Sequence, residues 1–242
     1  MPTIFDNMEN LLSESLKKTM DVSYKSDFCV GYFNLRGWKH LTDYVDCYEG
    51  NESGCCRLLI GMQRPSEDLL KQHLAKNEEA MMDNATASVL KKNMAFDFRK
   101  QLMFGIPTEE DEQGLRKLAE QLKSKKVIVK LYLKNTLHAK LYLLYRQDNF
   151  TPLIGYLGSS NLTLAGLQHQ GELNIDVLEQ DAARKLERWF NERWNDRYCI
   201  DITDELASII DESWAGEKFT KPYYIYFKNS LPPFPGSPIG AK

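Results

Sequence analysis

Residues 136–179 read TLHAKLYLLYRQDNFTPLIGYLGSSNLTLAGLQHQGELNIDVLE, and the order of elements in this stretch decides the fold. Its apolar and aromatic runs are short and bounded by polar or Gly-containing turns, the pattern of strands rather than helices. The predicted strands are 137–145, 153–157 and 171–178, with a fourth at 127–133 just before them. Side chains alternate between faces along a strand, so His138, Lys140 and Tyr142 are expected on one face and Ala139, Leu141 and Leu143 on the other.

Working outward, Asp27 to Phe33 and Arg57 to Met62 read as two earlier strands. Phe5, Met8, Leu12, Leu16 and Met20 recur at helical spacing, and a second helical stretch surrounds Trp38, Leu41, Tyr44 and Val45. Residues 66–104 lack proline and are rich in Leu, Lys, Glu, Ala and Met, which predicts one long helix or two abutting ones. Thr108 with Asp111 three residues on forms a capping box that opens a helix to about Ser124. Two more helices are expected near 182–194 and 203–214, where Trp189, Phe190 and Trp194 belong to the core. Helices alternate with strands first and strands cluster in the middle, so the fold class is α/β, of mixed α+β character, with a sheet flanked by helices on both faces. Residues 1–215 form the expected domain. Residues 216–242 contain Pro232, Pro233, Pro235 and Pro238 and read as a proline-rich tail or linker.

The 242 residues suffice for a full core without disulfides or a structural metal. Mean hydropathy is −0.47, and no apolar run approaches the roughly 20 residues of a membrane helix. The N-terminus carries Asp6, Glu9 and Glu14 without an apolar core, so no signal peptide is read and a cytoplasmic location is expected. Cys29, Cys47, Cys55, Cys56 and Cys199 are odd in number and lack CxxC spacing, which argues against a disulfide framework and a zinc site. Net charge is −3, but unevenly distributed: residues 114–150 hold nine basic against two acidic side chains, and residues 172–217 five against thirteen. The basic stretch contains the candidate site and is expected to surround it, favouring a polyanionic partner.

Within that site, Gly158, Ser159, Ser160 and Asn161 follow a strand end, where a close backbone approach plus hydroxyl and amide groups suits phosphate oxygens. Glu172 lies eleven residues beyond Asn161 and could orient a histidine through its second ring nitrogen. No G-x-S-x-G, HExxH or GxxxxGK[ST] is present, which disfavours serine hydrolase, zinc protease and P-loop chemistry.

H-x-K, then G-S-x-N, then a glutamate, in that order, resembles the phospholipase D superfamily over roughly residues 20–214. The resemblance implies a metal-independent phosphodiesterase that needs no cofactor. His138 is then the nucleophile that forms a phosphohistidine, Lys140, Ser159 and Asn161 bind phosphate, and Glu172 orients the histidine. It also resembles the nuclease-like domain preceding helicase domains in bacterial restriction or defence proteins, which implies nucleic acid, DNA foremost, as substrate and a helicase or ATPase as a possible companion. A binding or dimerisation module with weak hydrolysis, and a phospholipid hydrolase, are the competing readings. The family's aspartate five residues after the lysine is replaced by Tyr145, with Asp148 the nearest acid in sequence. One H-x-K supplies one histidine where the chemistry uses two. His40, His73 and His169 lie in no such motif, so a homodimer sharing one site is expected. Tyr32, Phe33 and Trp38 are candidates to stack bases, with burial in the core as the competing reading.

Overall fold

The computed structural model describes residues 2–61, 91, 97–103, 105–163, 166–167 and 171–216. Most of the expected 66–104 helix, together with His73, His169 and residues 217–242, lies outside them. The described parts of the helical stretch, 91 and 97–103, are helical.

The elements in chain order are β1 (Ile4–Phe5), α1 (Leu12–Met20), β2 (Ser23–Val30), a 3-10 helix (Leu35–His40), α2 (Thr42–Val45), β3 (Cys56–Ile60), α3 (Glu109–Lys123), β4 (Val127–Tyr132), β5 (Leu141–Arg146), β6 (Leu153–Gly158), β7 (Asn174–Val177), α4 (Gln180–Trp194), β8 (Cys199–Asp201) and α5 (Thr203–Asp211). The strands form one mixed sheet of order β1-β7-β6-β5-β2-β3-β4-β8. β2 is the seam. It runs parallel to β3, with Asp27 opposite Arg57, and antiparallel to β5, with Cys29 opposite Leu141.

Local chemistry explains the element ends. Thr108 Oγ1 accepts from Asp111 N at 3.1 Å while Asp111 Oδ2 accepts from Thr108 N at 3.2 Å, the reciprocal cap expected for α3. The first helix starts later than its spacing predicts. Asp6 takes the backbone N–H groups of Met8, Glu9 and Asn10, and Asn7 adopts φ 57°, which turns the chain before Leu12. Phe5 consequently sits in β1, which pairs with β7 at the sheet edge through Ile4 opposite Ile175. Thr3 N donates to Asp176 Oδ1 at 2.7 Å and Asp176 N to Thr3 O at 3.2 Å, so the N-terminus clasps a strand 173 residues away.

Helices cover both faces, as expected. Phe28, Leu58, Ile60, Tyr142 and Leu144 pack with Leu12 and Leu16 of α1, Leu115 and Leu118 of α3, and Leu206 and Ile210 of α5. On the other face Cys29, Leu59, Leu141, Leu143 and Tyr145 pack with Ala183, Phe190 and Trp194 of α4. Phe33 and Trp38 are core residues at 2% and 0% exposure, which removes them as base-stacking candidates, whereas Tyr32 is 50% exposed. All five cysteines are free.

Tyr145 has a partner that its sequence neighbourhood hides. Its hydroxyl donates to Asp27 Oδ2 at 2.6 Å, and that fully buried carboxylate is also gripped by Arg57 through Nε at 2.5 Å and Nη2 at 2.6 Å. Burial, reinforced by the Asp27 charge, pushes the Tyr145 hydroxyl far above the ordinary tyrosine range, so it stays a donor. Asp148 instead closes an exposed turn, accepting from Phe150 N and Thr151 N at 2.8 Å each. The carboxylate beside Tyr145 therefore comes from the neighbouring strand and not from Asp148.

The basic stretch does not gather around the site. Lys117 pairs with Asp43, Lys123 with Asp211, Lys125 with Asp204, Lys134 with Asp196, Arg116 with Glu112 and Arg146 with Asp148. Three of these acids, Asp196, Asp204 and Asp211, belong to the acidic stretch. Packing of α3 against α5 and of the end of β4 beside α4 brings the two charge runs together at these three pairs.

Candidate active site

The site residues sit where the parallel and antiparallel halves of the sheet meet. After β4 the chain must cross the ends of β3 and β2 to reach β5. Gly61, just past β3, permits that crossing: a Cβ there would lie 2.3 Å from Leu137 O and 2.4 Å from Leu137 Cβ. Leu137 N donates to Gly61 O at 3.1 Å. His138 and Lys140 thus belong to the segment leading into β5, which begins at Leu141, and not to a strand face as their alternation predicts. The backbone there is held by the crossing and leaves no ladder partner for His138.

The pair is nonetheless in contact. Lys140 Nζ lies 3.2 Å from His138 Nδ1 and donates to His138 O at 2.8 Å. Lys140 is 9% exposed and His138 is exposed, so the ammonium is largely enclosed and the imidazole faces outward. An ammonium can only donate, so as a hydrogen bond this contact uses Nδ1 as its acceptor.

Across the site, β6 ends at Gly158 and delivers the Ser159–Asn161 turn. Gly158 is obligatory by contact: a Cβ would fall 2.3 Å from Leu173 O and 2.4 Å from Asn174 Oδ1. The turn is held from beneath by buried polar groups. Tyr142 Oη donates to Ser160 O at 2.8 Å, Asn174 Nδ2 to Ser160 Oγ at 2.8 Å, and Ser160 N to Asn174 Oδ1 at 3.3 Å. Burial, with Cys29 and Glu172 nearby, raises the Tyr142 hydroxyl far above its ordinary range, which keeps that donor protonated. Asn7 Nδ2 reaches Gly166 O at 3.0 Å and braces the segment after the turn.

Asn161 Oδ1 accepts from Tyr32 N at 2.9 Å, which fixes the amide and leaves Nδ2 as its donor. Ser159 is exposed, and its hydroxyl accepts from Leu173 N at 3.0 Å, bridging β6 to the approach to β7. Glu172 lies two residues before β7 and is half-buried; among the described residues no hydrogen bond or ion pair joins it to His138. Its charge is felt at Tyr142, beneath the same turn. Among the described residues no three His, Cys, Asp or Glu side chains gather as a metal site.

Sequence reading missed the supporting shell of Tyr142, Ser160 and Asn174. The signals were present: Tyr142 follows His138 and Lys140 at every second position, and Asn174 is a lone amide within an apolar run.

The segment that carries His138 and Lys140 is joined to the glycine-led Ser/Asn turn by Gly158 N, which donates to Lys140 O at 3.1 Å, and the sequence comparison gives the class. Residues 56–194 match the family model described as the cardiolipin synthase PLD-like domain, so the chain belongs to the PLD-like domain family. Solved structures to which it is similar include Nuc, a phospholipase D family member from Salmonella typhimurium (12% identity, TM-score 0.47, 83% of this chain and 97% of that one). NucT from Helicobacter pylori follows (9%, 0.45, 83% and 98%), and phosphatidylserine synthase from Haemophilus influenzae covers 84% of this chain and 39% of that one at 16% identity and TM-score 0.46. No curated protein matches the sequence. Among the described residues no helix is long and apolar enough to cross a membrane.

Proposed function

We propose that the protein is a metal-independent phosphodiesterase acting on nucleic acid, DNA foremost, as an endonuclease. The observation that carries this reading is the Lys140–His138 contact at 3.2 Å on a segment whose Lys140 O accepts from Gly158 N, the residue that leads into the Asn161 turn, at 3.1 Å. In the first step a His138 ring nitrogen attacks phosphorus, the bond from phosphorus to the leaving oxygen breaks, and a phosphohistidine forms. Water then attacks phosphorus, its proton passing to the group that protonated the leaving oxygen, and the phosphorus–nitrogen bond breaks to free His138. Lys140 and the Asn161 amide offset the charge on the non-bridging oxygens. Nucleic acid is favoured over lipid by an outward-facing His138 and by Tyr32, a half-exposed aromatic fixed to the phosphate turn.

One chain is short of two groups. The leaving oxygen needs a proton, and a nucleophilic Nε2 requires the ring proton on Nδ1, which a carboxylate there would secure. Within one chain Nδ1 faces Lys140 instead. A homodimer that brings the partner's His138 to the same phosphate supplies the acid, and docking that draws Glu172 onto a histidine supplies the carboxylate. Association with a helicase in a restriction or defence protein belongs to the same proposal.

The test is cleavage of plasmid and single-stranded DNA in EDTA by the wild type and by His138→Ala. Metal-free cleavage lowered on the order of a thousandfold or more by the substitution supports the proposal. Equal DNA binding by both without cleavage refutes it in favour of a binding module, and turnover of phosphatidylcholine but not DNA in favour of a lipid hydrolase. Full activity in a light-scattering monomer overturns the shared site.

A further inference from the structure

We infer that Tyr32 is a substrate-binding residue whose ring stacks on a nucleobase next to the scissile phosphate. The inference rests on the nucleic-acid reading above and goes beyond it by naming the surface that receives the base.

Three observations place the ring. β2 and β5 last pair at Cys29 and Leu141, and Tyr32 and His138 each lie three residues past that pair, at the same end of adjacent strands. The Tyr32 backbone N–H donates to Asn161 Oδ1 at 2.9 Å, which ties its main chain to the residue that offers an amide to phosphate. The next residue, Phe33, forms a parallel bridge with Leu162, and Asn34 N donates to Leu162 O at 3.3 Å, so the segment is fastened to the turn at both Asn161 and Leu162. Position 32 is therefore held relative to the phosphate turn by backbone contacts and does not depend on its own side chain for placement.

The side chain itself is uncommitted. Tyr32 is 50% exposed while Phe33 is 2% exposed, and among the described residues neither its ring nor its hydroxyl makes a hydrogen bond or ring contact. An aromatic that contributes nothing to the core, mounted on a fixed segment beside the reacting histidine, has the geometry of a stacking platform. Such a platform suits any base, because every base presents a π-face. With several lysines of the basic stretch held in surface ion pairs, stacking also supplies affinity beside the phosphate contacts.

The experiment compares the wild type with Tyr32→Ala, Tyr32→Phe and Tyr32→Trp on a single-stranded oligonucleotide and on the same strand with abasic residues flanking the cleaved position. Stacking is worth roughly 1–3 kcal/mol per base, so Tyr32→Ala is expected to raise KM about tenfold on the normal strand with a much smaller effect on kcat. Phe and Trp are expected to restore KM, and the deficit of Tyr32→Ala is expected to vanish on the abasic strand. An unchanged KM for Tyr32→Ala, or an equal loss on both strands, overturns the stacking role, the latter in favour of a purely structural effect on Asn161. A wild type that neither cleaves nor binds the normal strand sinks the nuclease reading and the stacking role with it, whereas active wild type with no Tyr32 dependence sinks only the latter.

Discussion

Replacing Gly158 by alanine adds one carbon at the point where β6 hands the chain to the Ser159–Asn161 turn. That carbon would lie 2.3 Å from Leu173 O, 2.4 Å from Asn174 Oδ1 and 2.6 Å from Asn174 Cα, all far inside van der Waals contact. Two of these atoms are backbone, so the strain cannot be relieved by rotating a side chain. Overpacking of this kind costs about 1–3 kcal/mol. Moving Asn174 also breaks its bonds to Ser160, whose N–H and hydroxyl are fully buried and each cost about 1–3 kcal/mol when left unpaired. Partial relaxation brings the expected total to about 2–5 kcal/mol, read as a lower denaturation midpoint at unchanged m-value in guanidinium chloride. Turnover should fall more than stability explains, since a displacement near 1 Å at a reacting centre costs about a hundredfold. Gly171→Ala is the control: nothing lies within 4 Å of its added carbon, and its effect should stay within about 0.5 kcal/mol. A Gly158→Ala protein with the wild-type midpoint, or one no less stable than Gly171→Ala, would refute the reasoning.

Tyr145→Phe removes a donor from the buried Asp27 carboxylate and should destabilise by about 1–3 kcal/mol with kcat preserved. Tyr145→Asp, which restores the family's aspartate, should be worse, because it sets a second carboxyl against Asp27; equal or greater stability of Tyr145→Asp would contradict this. His40 has its pKa lowered from 6.5, first by burial and then by Lys17 and Lys39, against opposing pulls from Glu110 and Asp111. A base with a depressed folded-state pKa binds fewer protons folded than unfolded in that interval, so its contribution is complete above pH 6.5 and is lost as pH falls through the lower folded value. Denaturation midpoints measured between pH 5 and 8 should therefore slope downward below 6.5 in the wild type and less steeply in His40→Gln; identical slopes would exclude the effect.

The strands around the site were legible because their apolar runs are short and punctuated, and the α3 cap because Thr108 and Asp111 state it directly. The strand face assigned to His138 and Lys140 was not, since alternation cannot reveal that the chain spends residues 133–140 crossing two strand ends. The two-residue β1 and three-residue β8 are too short for periodicity to register, and each exists through pairing with a distant strand. Charge was the most misleading signal: a local excess of lysine says nothing about which acids the fold will bring opposite it, as Lys123 with Asp211 and Lys125 with Asp204 show. Tyr145 was read against Asp148 for the same reason, since Asp27 is remote in sequence and adjacent only across β2 and β5.

The clasp of Thr3 on Asp176 has a consequence for how the protein is made. β1 is synthesised well before its partner and waits until 173 further residues have been added, roughly nine to thirty-five seconds at typical elongation rates. During that interval the brace from Asn7 to Gly166 is also missing, so the nascent sheet carries an unfinished edge and an unsupported turn. Closing so long a loop comes at an entropic cost and late in folding, and the Ser159–Asn161 turn is therefore braced only after β7 has been made.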